Sequence, residues 1–364
     1  DLEPGKSLLE PVKAVVALLE VAPDRIMIPL VASAFRAPLG DVNFGASLVG
    51  TTGSGKSVLG ALIQQFFGVG MDYEHLPGSW ESTSNALEKQ CSQAKDVVFV
   101  IDDFKPTNEK SRRDLTAKAD RVFRGNANNQ GRARLTREAS MRRSYVPRCL
   151  PIATAEELPR VSSMIGRMIC MTVRRGDVSF ERLTLAQEKA HLLSECMVGY
   201  LEWLAPRLEE VRQDVKKRAR ELRAEWRGRG GHARAPEIGG SLLAAIEIAA
   251  SYFGSVGLEP SACQALEARA KTAILEALEQ QAEAQVERDF VEVFLAGVRS
   301  ALTGGRAHLA GLDQGLPEIE PAALGWRAER GRAFEPEWRP QGGRIGWADS
   351  RHVWLEPSLA VDAS

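Results

Sequence analysis

The alternation of apolar and polar positions divides the chain into a mixed α/β first half and a helical second half. Leu8, Leu9, Val12, Val15, Val16 and Leu19 recur at helical spacing, and Pro23-Asp24 breaks that pattern and can start a new helix, so residues 5–36 predict two helices. Residues 43–49 form a short apolar run entering a glycine-rich turn, which predicts a buried strand, with a helix from Ser57 to Phe67 behind it. Residues 96–101 (D-V-V-F-V-I) are a β-branched run ended by two acids, the pattern of a parallel strand covered on both faces. Cys149–Ala153, ending at Thr154, and Met168–Val173 predict two more strands. Strands alternating with helices over residues 40–180 predict an α/β domain.

Beyond residue 180 the period changes to 3 or 4. Leu201, Leu204, Leu208, Val211, Val215, Ala219, Leu222 and Trp226 form one helical stripe, kinked or restarted at Pro206 and packing on its own domain. Arg227–Gly231 (R-G-R-G-G) predicts a tight loop or linker, and helices resume over 237–254 and 260–302. In the last sixty residues, R-I-G-W-A-D (344–349) and H-V-W-L-E-P (352–357) flank Ser350-Arg351 and predict a β-hairpin, the wing of a winged-helix fold. Trp326, Trp338, Trp347 and Trp354 are expected in the core of that small domain.

Composition narrows the classes. The chain has 364 residues, room for two or three domains, and 47 basic residues against 48 acidic ones exclude a uniformly basic nucleic-acid coat. Charge must therefore be read by segment. Residues 105–148 hold 13 basic and four acidic side chains, net +9 in a chain of net −1. Lys105–Arg124 predicts a loop and a helix. Asn126–Arg148 has turn-rich ends and predicts a basic hairpin able to track a phosphate backbone, with Arg132, Arg134, Arg137, Arg142 and Arg143 as nucleic-acid contacts. Five scattered cysteines without a C-x-x-C suit a reducing cytoplasm rather than a disulfide framework or a zinc site. The five histidines show no metal spacing. No apolar run reaches the roughly 18 residues of a membrane span, so no membrane partner is expected. The chain opens on Asp1 rather than Met, which suits a fragment or a processed chain.

The strongest chemical signal is G-T-T-G-S-G-K-S, Gly50, Thr51, Thr52, Gly53, Ser54, Gly55, Lys56 and Ser57. Backbone N–H groups must converge on a phosphate, side chains at the three glycines would obstruct that approach, and the following helix points its positive end at the anion. In such a loop Lys56 reaches the β- and γ-phosphates of ATP and the Ser57 hydroxyl ligates Mg²⁺. The metal also needs a carboxylate at the end of a neighbouring strand, which Asp102 supplies 45 residues beyond Ser57. Asp103 then orients or deprotonates the attacking water. Thr154 ends a strand where it could meet the γ-phosphate or that water, and Arg167, or else Arg160, could reach a neighbouring subunit's γ-phosphate.

On these motifs the chain resembles an AAA+ ATPase. The segments D-R-I-M-I-P-L (24–30), L-P-G-S-W-E-S-T-S-N-A-L-E (76–88), D-D-F-K-P (102–106) and A-T-A-E-E-L-P-R (153–160) are similar to the replicative and primase-linked helicases of bacterial mobile elements and phages, relatives of the minichromosome-maintenance helicases. The resemblance implies N-terminal helices over 1–40 packing on an AAA+ P-loop NTPase core over 41–182. A helical domain over 183–285 and a winged-helix-like domain over 286–364 would follow. It also implies a homo-oligomeric ring, usually a hexamer, with ATP between subunits and single-stranded DNA in the channel. An upstream primase module is possible. The 126–148 hairpin becomes the loop facing DNA, Thr154 the first sensor and Arg167 the trans-acting finger. The chain departs from the common pattern by carrying Asp103 where Glu is usual. Two readings share every motif: an ATP-driven DNA helicase, and a nucleotide-switched DNA-binding or loading factor without processive unwinding. A protein-remodelling ATPase would want an aromatic pore loop, and only Phe66-Phe67-Gly68 comes near one.

Overall fold

The computed structural model describes residues 7–131, 144–157, 162–330 and 336–363. They fall into two compact units divided between Ala282 and Glu283.

The first unit opens with α1 (Leu9–Leu18) and α2 (Asp24–Arg36), then alternates β1 (Gly45–Val49), α3 (Lys56–Gln64), β2 (Gly78–Ser79), α4 (Ser84–Gln93), β3 (Val98–Phe104), α5 (Glu109–Ala127), β4 (Leu150–Ala155), α6 (Ser162–Ile165) and β5 (Met168–Thr172). Helices α7 (Phe180–Glu188), α8 (Ala190–Leu204), α9 (Leu208–Glu225), α10 (Ala235–Ser255) and α11 (Pro260–Thr303) follow, α11 running past the division. The five strands form one parallel sheet in the order β2-β3-β4-β1-β5. All five residues of β1 are buried, as are Val98–Ile101 of β3, because helices cover both faces.

Two buried glutamines close what would be open sheet edges. β2 reaches only Ile101 and Asp102, so the first half of β3 lacks a partner on that side. Gln64, at the end of α3, donates to the Val98 carbonyl (2.9 Å) and accepts from the Val100 N–H (2.9 Å). At the opposite edge Gln281 accepts from the Cys170 N–H (2.7 Å) and donates to the Met168 carbonyl (3.3 Å). Each amide supplies the donor and acceptor that a further strand would have offered.

The composition change near residue 183 is not a gap in packing. Residues of α1, α2, the sheet and α7–α11 up to Leu278 share one apolar core. Phe35 is central to it, meeting Phe66 (5.7 Å between centroids), Tyr200 (5.0 Å) and Phe253 (5.5 Å) edge-on. The neighbouring Arg36 is buried and donates to Ser241 Oγ (2.8 Å) and the Gly40 carbonyl (2.7 Å), and burial pulls its pKa down to about 10. Pro206 ends α8 in a single 3₁₀ turn, after which Val211, Val215, Ala219, Leu222 and Trp226 form the buried stripe of α9. Contrary to the sequence expectation, α10 is long and apolar enough to cross a membrane by length and composition, yet 72% of that stretch is buried inside the protein. Its apolar faces meet α9 and α2 rather than lipid.

The second unit holds the end of α11, β6 (Ala307–Ala310), β7 (Trp326–Arg330), β8 (Pro336–Pro340), β9 (Gly343–Ala348), β10 (Val353–Leu355) and α12 (Pro357–Ala363). The expected hairpin forms, with Trp354 opposite Trp347, and β6 adds to it in parallel. Only one helical run precedes this sheet among the described residues, so the helices of a winged-helix fold are not seen there. The expectation of a tryptophan core fails. The core is small and aliphatic (Val298, Leu302, Leu309, Ile345), Trp354 is 43% exposed, and Trp326, Trp338 and Trp347 are half-buried.

Gln64→Leu should leave two buried backbone groups of β3 without partners and lower unfolding free energy by about 2–4 kcal/mol. A urea unfolding midpoint well below that of the unaltered protein is the expected reading.

Candidate phosphate-binding site

The turn after β1 is shaped by its glycines. Gly53 and Gly55 adopt φ of 79° and 91°, in the left-handed region, and Gly55 delivers the chain into α3 at Lys56. A Cβ on Gly50 would stand 2.1 Å from the Val173 carbonyl oxygen, so only glycine lets this backbone lie against the end of β5. The result is a helix N-terminus facing the carboxyl ends of β1, β3 and β4, where parallel sheets commonly bind ligands.

Four side chains meet there. Asp102, on β3, accepts from Ser57 Oγ (2.8 Å) and from Thr154 Oγ1 (2.5 Å) through the same Oδ1. Thr154 Oγ1 also accepts from the Asp103 N–H (3.0 Å). Strand register shifts between Ile101 and Phe104, and Asp103 sits at φ 68° with its side chain exposed. This bulge turns the second acid of the pair out of the sheet into the cleft, and Thr154 holds it there. Lys56 is 8% exposed and folds back on its own loop, donating to the Thr51 carbonyl (2.9 Å). Burial lowers its pKa, and Glu156, Asp102 and Asp103 oppose that shift.

Two residues that sequence reasoning missed complete the cleft. Lys105 pairs with Glu156 (2.9 Å), and both hydrogen-bond Thr52 of the loop. The signal was present, since each follows a strand end (D-D-F-K, T-A-E), but only the adjacency of β3, β4 and β1 brings them together. Thr52, Gly53, Lys56, Ser57, Asp103 and Lys105 border a cleft of about 130 Å³.

Arg167 lies elsewhere. Its carbonyl accepts from the Gly45 N–H (3.0 Å), at the amino ends of the strands and away from the glycine turn. Its guanidinium donates to the Ser163 carbonyl, while its buried Nε has no partner among the described residues. Burial, Arg234 and Arg124 lower its pKa. Arg132, Arg134, Arg137, Arg142, Arg143 and Arg160 fall outside the described residues. The helix before them, α5, runs to Ala127, a little beyond the expected end at Arg124.

With this geometry in view, comparisons with known proteins bear on the fold. Residues 16–145, well under half of the chain, match the family described as Domain of unknown function (DUF927). No curated protein matches the chain. Among solved structures, "SCCmec type IV Cch – active helicase" is similar over the whole of this chain and 64% of that one, at 14% identity and a TM-score of 0.53. The chain thus spans less than two thirds of that helicase's length. Two structures of JCV helicase with bound compounds share 12% and 13% identity over 74% of this chain and 67% of theirs, at TM-scores of 0.30 and 0.31. The first unit is accordingly a mixed α/β fold with a central five-stranded parallel sheet, a fold similar to that of the first of these structures.

Thr154→Val keeps the shape but removes both hydrogen bonds to the acid pair. A loss of about 1–3 kcal/mol in unfolding free energy is expected, most of it regained in Thr154→Ser. Thermal and urea unfolding of the two variants check this.

Proposed function

We propose that the chain is an ATP-hydrolysing motor that translocates on DNA as a helicase, working as a ring of identical copies, in keeping with a mobile element or phage origin. The observation that carries this reading is the single carboxylate oxygen of Asp102 shared by the P-loop Ser57 and the strand-end Thr154.

The residues present fit ATP and Mg²⁺. A glycine turn that a Cβ would obstruct opens onto a helix N-terminus, and Lys56 stands beside it. Ser57 and Asp102 offer the hydroxyl and carboxylate oxygens that Mg²⁺ prefers, and they would hold it. The described residues contain no cluster of three or more His, Cys, Asp or Glu side chains suited to a metal. That is ordinary for an ion completing its coordination with nucleotide phosphates. Bound there, Mg²⁺ would neutralise charge on the phosphate oxygens. Lys56 would leave the Thr51 carbonyl to face phosphate. Asp103, exposed and fixed by Thr154, would orient the attacking water and take its proton.

The position of Arg167 at the far ends of the strands supports action on a neighbouring copy's nucleotide rather than on its own. A hexamer threaded by single-stranded DNA is the assembly this role suits, with the segment around Arg132 and Arg134 facing the strand. Five free cysteines suit a cytoplasmic setting.

Lys56→Ala should lower ATP turnover by about a hundredfold or more, because a charge facing phosphate is lost. Steady-state phosphate release checks it, and unaltered turnover ends the ATPase reading. Arg167→Ala should cut turnover by at least about a hundredfold while equilibrium binding of a non-hydrolysable analogue stays within about twofold. Lost binding would place Arg167 within its own subunit's site. Forked-duplex unwinding by the assembled protein separates a helicase from a loading factor: hydrolysis without strand displacement favours the loader.

A further inference from the structure

A second cationic surface lies apart from the cleft. From Lys216 to Arg234 the chain carries eight basic residues against Glu221 and Glu225, although its overall net charge is −1. The helical stripe explains where they point. Ala219, Leu222 and Trp226 are buried, while Arg220 and Arg223 of α9 and Arg227 just past its end are exposed beside that stripe. Gly228, Gly230 and Gly231, all at positive φ, bend the following loop so that Arg229 and His232 flank the same hollow. The hollow is a groove of about 610 Å³ whose lining includes four arginines and no carboxylate.

The charges are only partly compensated. Arg223 pairs with Glu237 (3.0 Å) and Arg229 with Glu279 (2.5 Å). Arg220 and Arg227 have no carboxylate partner among the described residues. Further cations lie near His232, which lines the groove: its ring packs where a Cβ on Gly166 would sit, and Arg167 and Arg234 both act on it. Burial and these two guanidinium groups hold the His232 pKa below the usual imidazole range. Arg167 is in turn opposed by Arg234 and Arg124, with Asp120 as the offsetting acid. Arg220 and Arg227 thus carry charge that no carboxylate among the described residues offsets, and an anion in the groove would relieve their mutual repulsion.

We infer that this groove binds the sugar–phosphate backbone of a nucleic acid. Arg220 on α9 and Arg227 just past its end both border the groove, which at about 610 Å³ has room for a run of phosphates rather than for one small anion alone. Guanidinium forks match phosphate oxygens bidentately. Apart from the arginines and His232 the lining's side chains are small (Ala224, Ala233, Pro236), with no Phe, Tyr or Trp to stack on a base, so recognition is of backbone charge and not of sequence. The groove's residues are separate in sequence from those around Arg132. It deepens the proposed DNA partnership without depending on nucleotide in the P-loop.

Fluorescence anisotropy of a labelled mixed-sequence single-stranded oligonucleotide, titrated with the full chain across a salt series without ATP, tests this. Arg220→Ala with Arg227→Ala should weaken binding at least about tenfold at 0.1 M salt and reduce the log–log salt slope by about 1.5. The effect should be equal for unrelated sequences. Arg220→Lys with Arg227→Lys should restore most of the slope, and Lys56→Ala should leave both quantities unchanged, so failure of the ATPase reading remains separable from failure here. Unchanged affinity and slope in the double alanine variant would overturn the proposal. So would an unaltered chain that binds no oligonucleotide. Equal binding of polyglutamate, lost with the same two arginines, would replace it with a general acidic-polymer surface.

Discussion

The site depends on one oxygen atom. Oδ1 of Asp102 receives hydrogen bonds from Ser57, in the first turn of α3, and from Thr154, at the end of β4. Three elements distant in sequence are thereby locked at one corner of the sheet. Hydrogen bonds to a carboxylate are stronger than neutral ones, and partial burial strengthens them further. Thr154 extends the lock by accepting from the Asp103 N–H, which keeps the bulge of β3 in its left-handed conformation. The strained residue and its support form a single arrangement, and the exposed Asp103 carboxylate is its product.

That corner can be presented because the rest of the sheet is closed. A parallel sheet with free edges would leave polar backbone groups buried or open to pairing with other chains. Gln64 and Gln281 remove the problem with side-chain amides from α3 and α11. Around them Phe35 and Arg36 tie α2 to the turn that follows α3, and to α8 and α10, through ring edges and a buried guanidinium. The N-terminal and later helices thus belong to the core that positions the phosphate turn.

Charge is distributed with equal consequence. The cleft mixes Lys56 and Lys105 with Asp102, Asp103 and Glu156, so its cations are balanced by carboxylates. The groove at the end of α9 is lined by four arginines, two of which have no carboxylate partner among the described residues. A balanced site suits a bound ion exchanged during a reaction cycle, while an unbalanced one suits a polyanion that supplies the missing charge.

The sequence by itself determined the local features. The apolar runs of β1 and β3, the glycine turn, the adjacent acids, the stripe of α9 and the C-terminal hairpin all depend on neighbours a few residues away, which periodicity reports directly. Tertiary structure decided the rest. Lys105 and Glu156 join the cleft because β4 lies between β3 and β1, a strand order that no local pattern encodes. The C-terminal tryptophans sit outside a small aliphatic core, and α10, apolar enough for lipid, is covered by α9 and α2. Whether an apolar or charged residue is buried, paired or free depends on what folds against it from far along the chain, and that contact exists only once the chain has closed on itself.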